Sequence, residues 1–552
     1  MAPAELAPFS LGEAAEAVAA RLAAWDAAKV GARIWASDPT VWPKAPPPEV
    51  PERTGWLELP IRMRPRAAEL AAFADGVRAE GTRHVVLLGM GGSSLAPDVL
   101  RRVFGGRPGY PELIVLDSTH PHAIRSVSER VDPARALFLV SSKSGTTTEP
   151  LDLLRFFWQQ VQATGAVPGP HFVAVTDPGT PLGRQAHEMG FRAVFEALPT
   201  VGGRYSALTM FGLVPAALLG VDLDGLLERA AAMASRCGPE VPATDNPGLA
   251  LGAALGELAR LGRDKATIYA SGSTAPFPVW AEQLIAESTG KSGRGIVPVV
   301  DEPPASEAVY GPDRLFVGLS DAGAADPLAP HLERLSAAGH PVLRFQVSDS
   351  LDIGAEFFRW ELAVAAAGAI LEIDPFDQPD VELAKQLARE AMAPGGKGGT
   401  TVPVPGVRGD DPRAVRDALD AWLRLVRPGD YVAVQAYLDP TTETVSALET
   451  VRARLLTRCR VATTVGIGPR FLHSTGQLHK GGANSGLFLQ LVDTPRHDLP
   501  VPGAGYTFGE LIRAQGLGDY RALQQRERRV LRVELGGDPS AALRVLEAAV
   551  SG

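Results

Sequence analysis

The stretch from Ala136 to Phe157, ALFLVSSKSGTTTEPLDLLRFF, constrains the fold more than any other part of the chain. Ala136 to Val140 is a short, apolar, β-compatible run that stops at a cluster of Ser, Lys, Gly and Thr unable to extend a core strand. A helix pattern follows at once. Thr147 or Thr148 can cap it, Glu149 and Pro150 suit its first turn, and Leu151, Leu153, Leu154, Phe156 and Phe157 give it a broad apolar face. Strand, polar loop and helix N-terminus in this order form an anion cradle, because unpaired helix N–H groups, several hydroxyls and the Lys143 ammonium converge there. An ordinary capped loop with a solvated lysine has the same local sequence, so the loop alone does not decide.

Composition limits the partners. A chain of 552 residues, 45% hydrophobic and 21% charged, has material for two or more domains with large cores. Its two cysteines, Cys237 and Cys459, are too few for a disulfide framework or a four-cysteine zinc site, which points to a reducing compartment. The start, MAPAELAPFSLGEAAEAVAARL, lacks a basic segment and carries glutamates, so it reads as an amphipathic helix rather than a signal peptide. No apolar run approaches the roughly 20 residues that span a bilayer. The expectation is a cytoplasmic protein without a membrane partner. A net charge of −9 with no basic block argues against nucleic acid, and an anionic ligand then needs a locally positive pocket.

In chain order, residues 1–60 read as a helical arm whose Pro-rich part, DPTVWPKAPPPEVPERTGW, wraps the surface. Residues 61–240 form a first αβ domain, with strands at 84–88, 113–116, 136–140, 171–175 and 193–197. Residues 241–390 form a second, with strands at 266–270, 315–319 and 342–346 and a helix carrying VWAEQLIAESTGK. From 391 a Gly/Pro-rich loop opens a C-terminal extension that mixes helix and strand, with strands at 431–437 and 461–465. Alternating strands and helices imply an α/β fold of parallel sheets flanked by helices, with a ligand at the carboxyl ends of the strands. The loops at 89–94 and 141–149 occupy that edge.

Several motifs fail on inspection. GMGGSS at 89–94 follows a strand but lacks the third glycine and the later acidic residue of a dinucleotide site, although Gly91 and Gly92 allow close backbone approach and Ser93 can bond a phosphate or hydroxyl. STGKS at 288–292 ends like a phosphate-binding loop, yet the leading glycine would fall on Ile285 within a helix. His473 and His479 lack zinc-site spacing, so no metal is expected. Glu287 taken alone is an ordinary carboxylate at a helix end.

The combination decides. GMGGSSLAP (89–97), SSKSGTTTEP (141–150), GGRYS (202–206), AEQLIAESTGK (281–291), FDQPDVELAKQLA (376–388) and HSTGQLHKGG (473–482) together resemble the glucose-6-phosphate isomerases. The resemblance implies two sugar-isomerase (SIS) αβ domains with the site between them, and no cofactor. Carried over by motif, it places a phosphate pocket on Ser93, Ser142, Lys143, Ser144 and Thr147, substrate contacts on Gln283 and Gln378, an electrostatic partner on Arg204, the base on Glu287 and a ring-opening pair on Lys385 and His473. Gln283 and Glu287, spaced i and i+4, share a helix face. The implied reaction is aldose–ketose isomerisation of glucose 6-phosphate and fructose 6-phosphate through a cis-enediol(ate), a step of glycolysis and gluconeogenesis. One carboxylate can move the proton between neighbouring carbons while a cation holds the enediolate.

One feature departs from the usual family order, because Lys385 precedes His473. In this the chain is similar to the isomerase half of transaldolase–isomerase fusion proteins, although the segment before the first αβ domain leaves no room for a barrel of roughly 250 residues. Ser144 also stands where many relatives have threonine. Family members are homodimers that exchange the histidine, and the changed order makes supply within one chain, even a monomer, an alternative. Two other functional readings are a non-catalytic SIS regulator that binds a sugar phosphate and an isomerase with added mannose 6-phosphate activity. A glucosamine-6-phosphate synthase is set aside, since its N-terminal cysteine is missing from MAPAEL.

Overall fold

Buried, apolar strands of the middle chain form the frame of the molecule. The computed structural model of the chain describes residues 9–46, 49–392 and 406–551. The first eight residues of the expected N-terminal helix and most of the Gly/Pro-rich loop lie outside them. Strand β1 (Phe9–Ser10) comes first and is followed by β2 (His84–Gly89), β3 (Glu112–Leu116), β4 (Ala136–Ser141), β5 (Phe172–Thr176) and β6 (Ala193–Glu196). The last five form a wholly parallel sheet in the order β3-β2-β4-β5-β6. Helices cover both faces, so β4 is buried at every position and reads as a continuous apolar run rather than an alternation. Phe138 on β4 stacks on Phe157 of the following helix, with ring centroids 4.8 Å apart. Gly89 pairs in register with Ser141, so the glycine-rich and Ser/Thr loops leave the sheet side by side.

The second sheet contains β7 (Lys265–Ala270), β8 (Val297–Val300), β9 (Arg314–Asp321) and β10 (Val342–Val347) in the order β1-β10-β9-β7-β8. Only β1 runs antiparallel, against β10. The third contains β11 (Val407–Arg408), β12 (Tyr431–Tyr437), β13 (Ala462–Ile467), β14 (Gly486–Asp493) and β15 (Arg529–Gly536), ordered β11-β15-β14-β12-β13 with all pairs parallel. The α/β expectation holds throughout. The C-terminal extension is itself a complete parallel sheet with helices, which is more order than a mixture of elements. Strand β14 has no counterpart in the sequence reading, although all eight of its residues are buried. Its GLFLQLVD pattern carries a polar Gln490 that is tolerated because Gln490 donates to Gly516 O at 3.1 Å and Arg532 donates to Gln490 Oε1 at 2.5 Å.

The N-terminal arm is a correction. Among the described residues of its Pro-rich part, Trp42 and Trp56 do not lie on the surface but are fully buried. Trp42 Nε1 donates to Ala365 O at 2.8 Å and Trp56 stacks on Tyr205 at 5.4 Å, which inserts the arm into the main core. Large aromatic area outweighs the local bias of the prolines towards an exposed connector.

Buried charges fix the third sheet on the second. Glu302, just beyond β8, pairs with Arg314 of β9, while Thr463 on β13 donates to Glu302 Oε1 through its N–H at 3.0 Å and its hydroxyl at 2.9 Å. The side chains of Arg314 and Glu302 are 1% and 0% exposed. Removing one charge strands the other. Glu302→Gln is therefore expected to lower the unfolding free energy by about 3–5 kcal/mol. The control Glu307→Gln, at a more exposed pair with Arg334, should leave stability nearly unchanged. Chemical denaturation of both variants checks this, and equal losses would contradict it.

Candidate active site

Arg204 lies in the turn Gly203–Tyr205, held against the glycine-rich loop by a close backbone approach. A Cβ on Gly92 would come within 2.0 Å of Gly203 O, so only glycine fits there. The Arg204 side chain is 2% exposed and almost fully committed. Its Nε donates to Ser288 Oγ at 2.7 Å, one terminal nitrogen to Gln378 Oε1 at 2.9 Å, and the other to Pro375 O at 2.6 Å and Asp377 O at 3.0 Å. The nitrogen bonded to Gln378 also lies 3.4 Å from Glu287 Oε1.

Glu287 and Gln283 lie on the helix Pro278–Thr289, which follows the carboxyl end of β7. The i, i+4 spacing brings Gln283 Nε2 to 2.9 Å from Glu287 Oε2. The same amide nitrogen donates to His473 O at 2.8 Å, and Gln283 Oε1 is buried with no partner among the described residues. An unpaired buried acceptor suits a ligand hydroxyl. Lys291 donates to Asp377 O at 2.5 Å and to its carboxylate at 2.6 Å, fixing the loop whose carbonyls receive Arg204. Burial, with Arg204 nearby, pulls the Lys291 ammonium down to about 8.

His473 ends the turn Arg470–His473 that leaves the carboxyl end of β13. Its Nε2 lies 3.1 Å from Glu149 Oε1, in the first turn of the helix Thr148–Ala163. Burial would raise the Glu149 carboxyl, but the charge and hydrogen bond of His473 outweigh it and hold the group below the usual carboxylate range. A carboxylate only accepts, so the ring nitrogen facing it carries the proton and the other is left for proton exchange. Arg470 ties this turn to the first sheet, lying 3.2 Å from Asp117 and 3.5 Å from Asp98. Gly91, at φ +56°, sits where a Cβ would meet His473 O at 2.8 Å.

A family model described as phosphoglucose isomerase matches residues 63–304. Over that segment the chain is similar to the phosphoglucose isomerases. Curated relatives include a probable glucose-6-phosphate isomerase of Haloarcula marismortui, 28% identical over 55% of this chain and 77% of that protein. The glucose-6-phosphate isomerase of Rubrobacter xylanophilus is 27% identical over 61% of this chain and 89% of its own length. Among solved structures, a hypothetical protein of Thermus thermophilus aligns with TM-score 0.57 and 26% identity over 68% of this chain and 97% of that one. A glucose-6-phosphate isomerase of Chlamydia trachomatis aligns with TM-score 0.51 and 22% identity over 60% and 75%, which shows a shared fold. The span matched by the family model holds both anion loops, Arg204, Gln283 and Glu287, whereas Gln378, Lys385 and His473 lie beyond it.

The remaining residues expected from the family motifs divide into two groups. Ser93 and Ser142 are buried, Ser144 is exposed and Thr147 is half-buried, all in or beside the two loops. Ser142 donates to Thr147 Oγ1 at 3.1 Å, and Thr147 caps the Thr148–Ala163 helix without a side-chain hydrogen bond of its own to the helix backbone. Lys143, expected in the phosphate pocket, pairs with Asp177, and burial pulls it below its ordinary range against the attraction of that carboxylate. Lys385 stands on the helix Val381–Met392, 40% exposed and 2.9 Å from Glu382, close enough for its charge to help lower Glu149. The sequence reading missed Glu149, Ser288, Lys291 and Gln515 as site residues. Glu149 had read as a helix-start residue and Lys291 as part of a failed phosphate motif. Their only signal was membership of motifs already quoted, and Gln515 had none.

Glu282, beside Gln283 but turned to Ser474 and Arg470, is pushed up to about 7 by burial. Its stabilisation as a neutral group is complete below the unfolded value of 4.5 and is lost as pH rises through 7. Glu282→Gln, which keeps the neutral shape, should nearly match the native protein at pH 5 and gain up to about 3 kcal/mol above pH 8. Denaturation at both pH values checks this. An advantage largest at pH 5 would contradict it.

Proposed function

We propose that this cleft interconverts glucose 6-phosphate and fructose 6-phosphate, with Glu287 as the proton-transferring base and His473 as the ring-opening group. The observation that carries this reading is the placement of Glu287 between Gln283 and an immobilised Arg204, with the His473–Glu149 pair brought beside them by the Gln283 bond to His473 O. The 141–149 loop, with Ser93, receives the phosphate, whose binding energy holds a flexible open chain in register. His473, with Lys385 near it, moves the proton from the C1 hydroxyl to the ring oxygen as the C1–O bond breaks. Glu287 then takes the C2 proton of the aldose and returns it to C1. The negative charge that develops on the enediolate oxygens meets a guanidinium that four hydrogen bonds already hold, so little reorganisation is needed as the charge forms.

A coupled assay in chelator, comparing the native protein with Glu287→Gln, tests the assignment. The variant should lose about 10²–10⁴-fold in kcat, the range for a positioned proton-transfer group, while still binding sugar phosphate. Saturable binding by the native protein without turnover would replace the isomerase with a sugar-phosphate-binding regulator.

The bond from Gln283 to His473 O and the pairing of His473 with Glu149 also support supply of the histidine within one chain. Mixing inactive Glu287→Gln and His473→Ala proteins should then restore no activity. Recovery on mixing would mean that the histidine is exchanged between subunits.

A further inference from the structure

The cleft contains a polar group that none of the family motifs assigns, the carboxamide of Gln515 in the middle of the helix Phe508–Gln525. Its Nε2 donates at 2.7 Å to Glu149 Oε1, the same oxygen that lies 3.1 Å from His473 Nε2. Its Oε1 accepts from Thr119 Oγ1 at 2.8 Å. Gln515 and Glu149 are each 6% exposed and Thr119 is fully buried. The amide cannot turn over, since its oxygen would then face a carboxylate that only accepts. One helical turn further on, Asp519 pairs at 2.6 Å with Lys480 of the HSTGQLHKGG segment, both essentially unexposed. One face of this helix therefore grips the histidine-bearing segment at Lys480 and the carboxylate behind the histidine at Glu149.

We infer that Gln515 is a positioning residue for ring opening: it fixes the Glu149 carboxylate so that His473 is held in one orientation and one tautomer. The terminal torsion of a glutamate is broad and soft, so a second hydrogen bond to the acceptor oxygen is what keeps it aimed. A group that orients a proton-carrying imidazole through its carboxylate acts on the chemistry without touching substrate. The inference rests on the reading of His473 as the ring-opening group.

The test separates ring opening from proton transfer. In the Glu287→Gln background isomerisation is blocked, and enzyme-catalysed interconversion of the α and β anomers of glucose 6-phosphate, followed by exchange NMR, reports ring opening alone. Adding Gln515→Met should slow that exchange about 10–100-fold, the range for groups that orient a ligand or imidazole from behind. Binding of an open-chain five-carbon aldonate 5-phosphate, measured by calorimetry, should stay unchanged. Thr119→Val, which removes only the hydroxyl that orients the amide, should slow exchange in the same direction and keeps the test open if Gln515→Met fails to fold. Loss of aldonate binding along with exchange would make Gln515 merely structural and overturn the inference. Unchanged exchange in the Gln515 and Thr119 variants, with exchange abolished in His473→Ala, would also overturn it. Exchange that survives His473→Ala would instead remove the reading on which it rests.

Discussion

In the proposed reaction Arg204 must stay charged, dry and motionless 3.4 Å from a carboxylate that has to remain free to accept a proton. A guanidinium with freedom to turn would close on Glu287 in a bidentate pair and neutralise its charge. Here four hydrogen bonds leave a single N–H for Glu287, and the supports of those bonds come from far along the chain. Lys291 anchors the 375–378 loop, Gly92 permits the backbone of Gly203 to press against the first sheet, and Trp56 of the N-terminal arm stacks on the adjacent Tyr205. The arm is thus part of the apparatus that keeps one side chain in place.

The site draws on the carboxyl edges of all three sheets. The loops after β2 and β4 supply the proposed anion cradle, the helix after β7 supplies Gln283 and Glu287, and the turn after β13 supplies His473. This is where ligands bind in parallel α/β sheets, because side chains and helix N-termini diverge from the strand ends. The third sheet delivers more than the histidine. Its helix Phe508–Gln525 also brings Gln515 to Glu149, so a unit distant in sequence from the first sheet completes that sheet's own loop.

Buried charges set how the three sheets dock. Arg470 between Asp98 and Asp117, Glu302 between Arg314 and Thr463, and Lys480 with Asp519 each join segments separated by a strand or more. Such pairs add little net stability over apolar packing, yet each is strongly unfavourable if a partner is misplaced. They restrict the sheets to an arrangement in which His473 meets Glu149.

The sequence by itself determined the α/β class, most strands of the first two sheets and the position of the glycine-rich and Ser/Thr loops at their carboxyl ends. Those features are written in short-range patterns: apolar runs of strand length, helix-start residues and glycines that only close approach explains. Gln283 and Glu287 were legible as one face because helical spacing is local. Only the tertiary structure decided that the Pro-rich arm is core, that β14 lies in the middle of a third parallel sheet, that Lys143 is tied to Asp177 and that Gln515 stands behind Glu149. Each of these depends on which distant surface covers a residue. That is set by the burial of aromatic area and the pairing of buried charges across the whole chain, not by the residues on either side.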